Sequence, residues 1–195
     1  AVAEDSRHTE EHPTEDHPPT GLGLCDGPDK EAISSLISRM GLNKHIQLLG
    51  NVHNMSRFYH SIDLLITPSI KEPFGLTIAE AMAHGIPVIC TEVDGTTEVF
   101  VNGTSGLAIK PTLTATEYQA LGGNLKGWPE YIYSPTEDTI VEAKALAPDL
   151  LAKEISMLLN NKHRYSAMSL QARDHAVNQL NYQKHVEKLY RLLLA

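Results

Sequence analysis

The sequence is short of several things, and each shortage excludes a class of protein. It has two cysteines in 195 residues, Cys25 and Cys90, each inside a short apolar run, "LGLCDG" and "IPVICTEV". A chain this long can bury a core without staples, so both are read as reduced, buried thiols and not as a disulfide. Two cysteines are too few for a zinc site, and the histidines show no HExxH spacing. Basic residues are in deficit, 16 Lys and Arg against 24 Asp and Glu, for a formal net charge of -8. That balance speaks against gripping a nucleic-acid backbone or an anionic membrane surface. No apolar stretch reaches the roughly 20 residues of a membrane span. The start "AVAEDSRHTEEHPTEDHPPT" has no signal-peptide core, so a cytoplasmic setting is the expectation.

Residues 1–20 also have almost no large apolar side chains. Such a stretch buries too little to offset its ordering entropy and is expected to be disordered or loosely attached. His8, His12 and His17 fall in it, and a tract without fixed geometry offers no metal site. The folded part is expected over residues 21–195.

From Gly21 the chain alternates strand and helix signals. "GLGLC" reads as a strand, and "DGPDKEAISSLISRMGL" as a turn and an amphipathic helix with Ala32, Ile33, Leu36, Ile37 and Met40 on one side and Gly41 at its end. "HIQLLG" (45–50), "DLLITPS" (63–69), "IPVICTE" (86–92) and, last, "GLAIKP" (106–111) read as further strands. "NMSRFYHSI" (54–62), "GLTIAEAMAHG" (75–85) and the start of "TTEVFVNG" read as helices. Short joints between alternating elements predict an α/β domain, a Rossmann-like parallel sheet flanked by helices. In such sheets ligands sit at the carboxyl ends of the strands. Here those ends carry "CDGP", "GNVHN", "PSIKEPFG" and "TEVDG", four loops expected to share one edge.

The loop "PSIKEPFG" feeding "LTIAEAMAHG" holds the most chemistry. Backbone N–H groups near Gly75, Leu76 and Thr77 would lie at the positive end of a helix dipole, which suits a phosphate oxygen. Glu80 lies about one and a half turns inside that helix, too far to cap its start, and its carboxylate could accept two ribose hydroxyls. Glu72 sits in the loop outside the helix, free to face a second polyol such as a hexose. A diphosphate between two hydroxyl-binding carboxylates is what a nucleotide-sugar requires. His53 and His84 fall nearest these loops, and a loop or helix-terminal role is the simpler reading for both.

The text around this pair, "LLGNVHNMSRFYHSIDLLITPSIKEPFGLTIAEAMAHGIPVICTEVDGTTEVFVNGTSGLAIKP" preceded by "CDGPDKEAISSLISRMGLNKHI", resembles the C-terminal, donor-binding domain of retaining GT-B glycosyltransferases of the family 4 type. The resemblance runs without a gap over residues 22–111, and "PDLLAKEISMLLNNKHRYSAMSLQARDHAVNQLNYQKHVEKLYRLL" resembles the closing helices. It implies that Glu80 binds the ribose, Glu72 faces the donor hexose and acts as the catalytic carboxylate, and the amides of Phe74, Gly75, Leu76 and Thr77 hold sugar and phosphate. It further implies that backbone near Val52 contacts the base and that the loop with Gly27 borders the cleft. No metal or cofactor is expected besides the nucleotide-diphosphate sugar, which is substrate.

Two departures matter. Relatives carry an N-terminal acceptor domain and an Arg/Lys pair that neutralises the diphosphate, and neither is found before Gly21. Lys71 and Lys110 are candidates to replace that charge but read as surface lysines. The chain is therefore expected to need an acceptor domain and to be inactive alone. A non-catalytic nucleotide-sugar or partner binding module is the alternative, and a sugar-nucleotide epimerase a third reading. The second departure is an insertion of about 35 residues at 112–147, read as a long loop. Trp128, Tyr131 and Tyr133 in it are read either as pins holding that loop to the body or as an acceptor or domain contact. Because it lies outside the signature, it is expected to leave the donor residues untouched.

Overall fold

A computed structural model describes residues 21–194. The expectations for residues 1–20, with His8, His12 and His17, lie outside the described residues. The chain divides into two compact units, Ala1–Met55 and Ser56–Ala195, each taken by itself.

The first unit contains β1 (Gly21–Gly23), α1 (Lys30–Arg39) and β2 (Ile46–Leu48). β1 and β2 pair in parallel, Gly21 opposite Ile46 and Gly23 opposite Leu48, and α1 is the crossover that a parallel pair requires. The helix closes as its glycine suggested: Gly41 N–H donates to Ser38 O at 3.1 Å and Leu42 N–H to Ile37 O at 2.9 Å, the Schellman pattern. The expected apolar side is only partly buried. Ile37 is 8% exposed, but Ile33, Leu36 and Met40 are 37%, 46% and 62% exposed. A ten-residue helix over a two-stranded sheet has too little surface beneath it to cover the whole stripe.

α2 (Met55–Tyr59) leads into the second unit, which continues with β3 (Leu65–Thr67), α3 (Leu76–Ala83), β4 (Val88–Thr91), a 3-10 turn at Thr96–Glu98 and β5 (Leu107–Ile109). The sheet order is β3-β4-β5, all parallel, with Leu65 opposite Val88 and Ile89 opposite Leu107. All four residues of β4 are buried, which is why "VICT" shows no polar face. α3 buries Ile78, Ala81 and Met82, at the i, i+3, i+4 spacing of one helix face, and packs on α6 (Lys162–Gln179). Ser169 Oγ in α6 donates to Gly85 O at 2.6 Å, fixing the end of α3.

The closing helices are α5 (Pro148–Leu159), α6 and α7 (Tyr182–Leu193). Pro148 begins α5 where no intrahelical donor is needed. Asn161 and Asn181 cap the next two by accepting from Arg164 N–H at 3.0 Å and Lys184 N–H at 3.2 Å. Leu158 and Met168 pack on Ile89 of the central strand.

The segment 112–147 is more ordered in secondary structure than the loop expected from its sequence, and β5 is not the last strand. It holds α4 (Ala115–Ala120), entered by a Thr114/Glu117 capping box, and an antiparallel hairpin of β6 (Tyr131–Ser134) and β7 (Thr139–Glu142). The turn "PTED" ends in Asp138 at φ 49°, so an aspartate stands where glycine is the familiar hairpin signal. Trp128 packs with Val93 and Ile132 and lies 5.1 Å, ring to ring, from Tyr118. It pins the segment to the body, while Tyr131 stays exposed. Among the described residues no helix is long and apolar enough to cross a membrane.

Leu158 is fully buried between helix and sheet. Leu158→Ala is expected to lose about 2–5 kcal/mol of stability in urea unfolding, with wild-type stability contradicting this packing. Burial pushes the Cys90 thiol from 9.0 up to about 12; a Thr96 hydrogen bond opposes the shift and the Glu92 charge adds to it. The fold thus favours the neutral thiol, a contribution present below pH 9.0 and lost as pH rises toward about 12. A thiol reagent at pH 8 should label the half-buried Cys25 in the native protein and reach Cys90 only after denaturation. Equal labelling of both in the native state would contradict the burial of β4.

Candidate functional site

The loops that follow β3 and β4 leave one edge of a parallel sheet, which brings two of the four expected loops together. The other two follow β1 and β2 in the first unit.

The β3 loop turns into α3 at Gly75, whose φ of 95° and ψ of 57° are left-handed. That conformation calls for glycine, and a Cβ there would also sit 2.8 Å from Ile78 Cδ1 and push that side chain aside. The helical bonds begin with Ile78 N–H and Ala79 N–H, which donate to Gly75 O at 3.0 and 3.1 Å. The N–H groups of Leu76 and Thr77 have no protein acceptor among the described residues, and both residues are exposed. They stand at the positive end of the α3 dipole. Glu72 Oε1 accepts from Gly75 N–H at 3.1 Å, so that amide is already engaged by the carboxylate three residues before it. Phe74 is 39% exposed beside them.

Glu80 lies in the middle of α3 with its side chain exposed and its Oε2 accepting from Tyr59 Oη at 2.8 Å. Tyr59 is 1% exposed. Burial first, then the hydrogen bond to Glu80 and its charge, hold the phenol well above its ordinary range, so Tyr59 remains a donor. It steers Glu80 while leaving Oε1 without a protein partner among the described residues. Tyr59 was not anticipated as a site residue, although a tyrosine on the buried side of a short helix needs a partner for its hydroxyl. Val52, half-buried, and Gly27, exposed with open space around it, belong to the first unit; the remaining site residues belong to the second.

The β4 loop supplies two further residues missed in the sequence. Gly95 lies against the β3 loop so closely that a Cβ would meet Pro73 O at 2.1 Å and Phe74 Cα at 3.2 Å. Asp94, at φ 44°, accepts from Glu72 N–H through Oδ2 at 3.0 Å and from Tyr133 N–H through Oδ1 at 3.0 Å. The dipeptide "DG" just after a strand was the available signal. Thr96 Oγ1 locks the same loop, 2.9 and 2.8 Å from the carbonyls of Thr91 and Val93.

The insertion therefore does not stand apart from the signature. β6 is bonded through Tyr133 to Asp94, and Ile132 packs with Val93 and Ile70 of the two loops. Spacing along the chain hid this, because Asp94 and Tyr133 are 39 residues apart. Tyr133 Oη donates to Asp138 at 2.6 Å within the hairpin, and Lys110 pairs with Glu137 of its turn at 2.6 Å. Lys110 is thus already matched by a carboxylate, while Lys71 is exposed in the β3 loop. His84 caps the far end of α3 through Nδ1 and Glu80 O at 2.8 Å, about 12 Å of helix from Gly75. A cavity of about 380 Å³ opens between the ends of β4 and β5 and the hairpin, lined by Glu92, Lys110, Ser134, Glu137 and Lys144 among others. Neither Glu72, half-buried, nor Glu80, exposed, lines it. Among the described residues no three His, Cys, Asp or Glu side chains gather as a metal site.

Residues 10–122, more than half of the chain, match the family described as glycosyl transferases group 1. The chain belongs to that family. A D-inositol 3-phosphate glycosyltransferase of Nocardia farcinica is 33% identical over 109 residues, 55% of this chain and 24% of that protein. Curated relatives of this group 1 glycosyltransferase chain are much longer, and it spans 22–33% of the length of the first few it matches. Among solved structures, the C-terminal domain of a group 1 family protein, LpcC, from Francisella tularensis is similar with a TM-score of 0.57 at 19% identity, over 80% of this chain and 66% of that one. Anabaena HepE in complex with UDP-glucose is similar with a TM-score of 0.63 at 19% identity, over 88% of this chain and 39% of that one. At such identities the likeness establishes the fold, the parallel α/β architecture of a GT-B glycosyltransferase domain.

Gly95→Ala should force the β3 and β4 loops apart at a cost of about 3 kcal/mol, read in urea unfolding. A variant as stable as the wild type would show that the loops do not meet at this glycine.

Proposed function

We propose that this chain is the donor-binding part of a hexosyltransferase of the family 4 type, which transfers a sugar from a nucleotide-diphosphate sugar to an acceptor with retention at the anomeric carbon, in the cytoplasm. The observation that carries this reading is the start of α3: two backbone N–H groups without protein acceptors among the described residues, at the positive end of a helix, between Glu72 and Glu80. The amides of Leu76 and Thr77 suit the diphosphate, with Phe74 and Gly75 shaping the loop around it. Glu80, steered by Tyr59, keeps an oxygen for the ribose hydroxyls. Glu72 faces the hexose with its second oxygen while the first ties it to Gly75. That HepE was solved with UDP-glucose supports a nucleotide-sugar as ligand class. The roles of Val52 toward the base and Gly27 at the cleft border rest on the family resemblance alone.

In the reaction the bond between the anomeric carbon and the diphosphate oxygen breaks, and the bond to the acceptor oxygen forms on the same face of the sugar. The acceptor hydroxyl loses its proton and the diphosphate leaves with the electron pair. Negative charge grows on the leaving oxygen, where fixed N–H dipoles stabilise the transition state without reorganising. The net charge of -8 makes local dipoles the more important. The acceptor and the cations that complete this neutralisation are assigned to the part of the longer relatives that this chain does not span, so the 195 residues alone should bind donor and not turn it over.

Calorimetry with UDP-glucose, GDP-mannose and ADP-glucose tests the reading. One of them should bind, Glu80→Ala should weaken it at least about tenfold, and Glu72→Gln should weaken the nucleotide-sugar more than its nucleoside diphosphate. No binding of any of the three at millimolar concentration, or an unaffected Glu80→Ala variant, would overturn it.

A further inference from the structure

We infer that Asp94 is a positioning residue through which the β6–β7 hairpin sets the loop that meets the donor sugar, an inference that rests on the nucleotide-sugar reading above. Its two carboxylate oxygens are divided between two segments far apart in sequence. Oδ2 takes the N–H of Glu72, and Oδ1 takes the N–H of Tyr133, each at 3.0 Å. Asp94 N–H donates in turn to Tyr133 O at 3.0 Å, so the hairpin holds this residue by both backbone and side chain. From Glu72 the chain of contacts continues through its own carboxylate to Gly75 N–H at 3.1 Å, the N-cap of α3. Hairpin, β4 loop, β3 loop and helix start are thus joined by consecutive hydrogen bonds, and a shift of the hairpin reaches the Glu72 carboxylate directly.

The backbone of Asp94 points the same way. At φ 44° it occupies the left-handed region, where glycine would sit without strain and aspartate is one of the few side chains that is tolerated. What the side chain adds here is a pair of acceptors for two half-buried amides. Removing it leaves those amides unpaired and cuts the hydrogen-bonded link between hairpin and β3 loop, while the Ile132–Ile70 packing and the close approach at Gly95 remain.

Asp94→Gly removes both acceptors while suiting the left-handed backbone, and Asp94→Asn keeps one acceptor oxygen. Amide hydrogen exchange by NMR and binding of UDP-glucose, GDP-mannose and ADP-glucose, each beside its nucleoside diphosphate, are measured on the 195-residue chain. In Asp94→Gly the amides of Glu72 and Tyr133 should exchange at least about tenfold faster, and the ratio of nucleotide-sugar to nucleoside-diphosphate affinity should fall about tenfold, with Asp94→Asn in between. Unchanged exchange at Glu72 in both variants overturns the tether, whatever binds. Faster exchange with an unchanged affinity ratio overturns the positioning role. A wild-type chain with the protected amides that binds none of the probes refutes the nucleotide-sugar reading, and the donor role of Asp94 with it.

Discussion

The site depends on one close approach. Where the β3 and β4 loops leave the parallel sheet, the backbone at Pro73 and Phe74 lies against Gly95, with no room for a single carbon between them. That contact fixes the β3 loop close to the strand next door, so the left-handed turn at Gly75 opens α3 in a set place. A side chain at residue 95 would move Glu72, Phe74 and the first amides of α3 together. The hydrophobic base of the arrangement is β4, buried along its whole length, with Ile89 under Leu158 and Met168.

On that base the polar groups are tied in series. Glu72 closes on Gly75, Asp94 holds Glu72 from the other side, and Tyr59 holds Glu80. Each bond is modest by itself, but together they hold two carboxylates and a helix start in one arrangement. Preorganisation of this kind suits a diphosphate ligand, because dipoles already in place need not turn as charge develops. It would also let a chain with a large acidic excess hold an anion, because the field at the start of α3 is local and comes from backbone, not from lysines. Lys110, the basic residue at the end of β5, is instead spent on Glu137 of the hairpin turn.

Much of this was legible in the sequence because the physics is local. A continuous apolar run such as "VIC" announces a buried parallel strand, and "FG" before "LTIAEAMAHG" announces a turn into a helix. Glu80 within that helix and Glu72 before it were readable as a pair for the same reason. What escaped depends on contacts across the chain. The exposed part of the α1 stripe reflects how little sheet lies beneath it. The hairpin gives no strong signal in the sequence, since its turn closes on Asp138 at φ 49° with no glycine. Its attachment to Asp94 spans 39 residues, and no spacing rule reports that. Tyr59 and Glu80, 21 residues apart, meet for the same non-local reason.

In the proposed function the start of α3 receives the diphosphate. Titrating the isotope-labelled chain with UDP-glucose, GDP-mannose and ADP-glucose, and following backbone amide shifts, tests it most directly. The largest shifts should fall on Leu76 and Thr77, with Glu72 and Glu80 following and the His84 end of the helix still. Shifts confined to the cleft of Glu92, Lys110 and Lys144, with Leu76 and Thr77 unmoved, would contradict it.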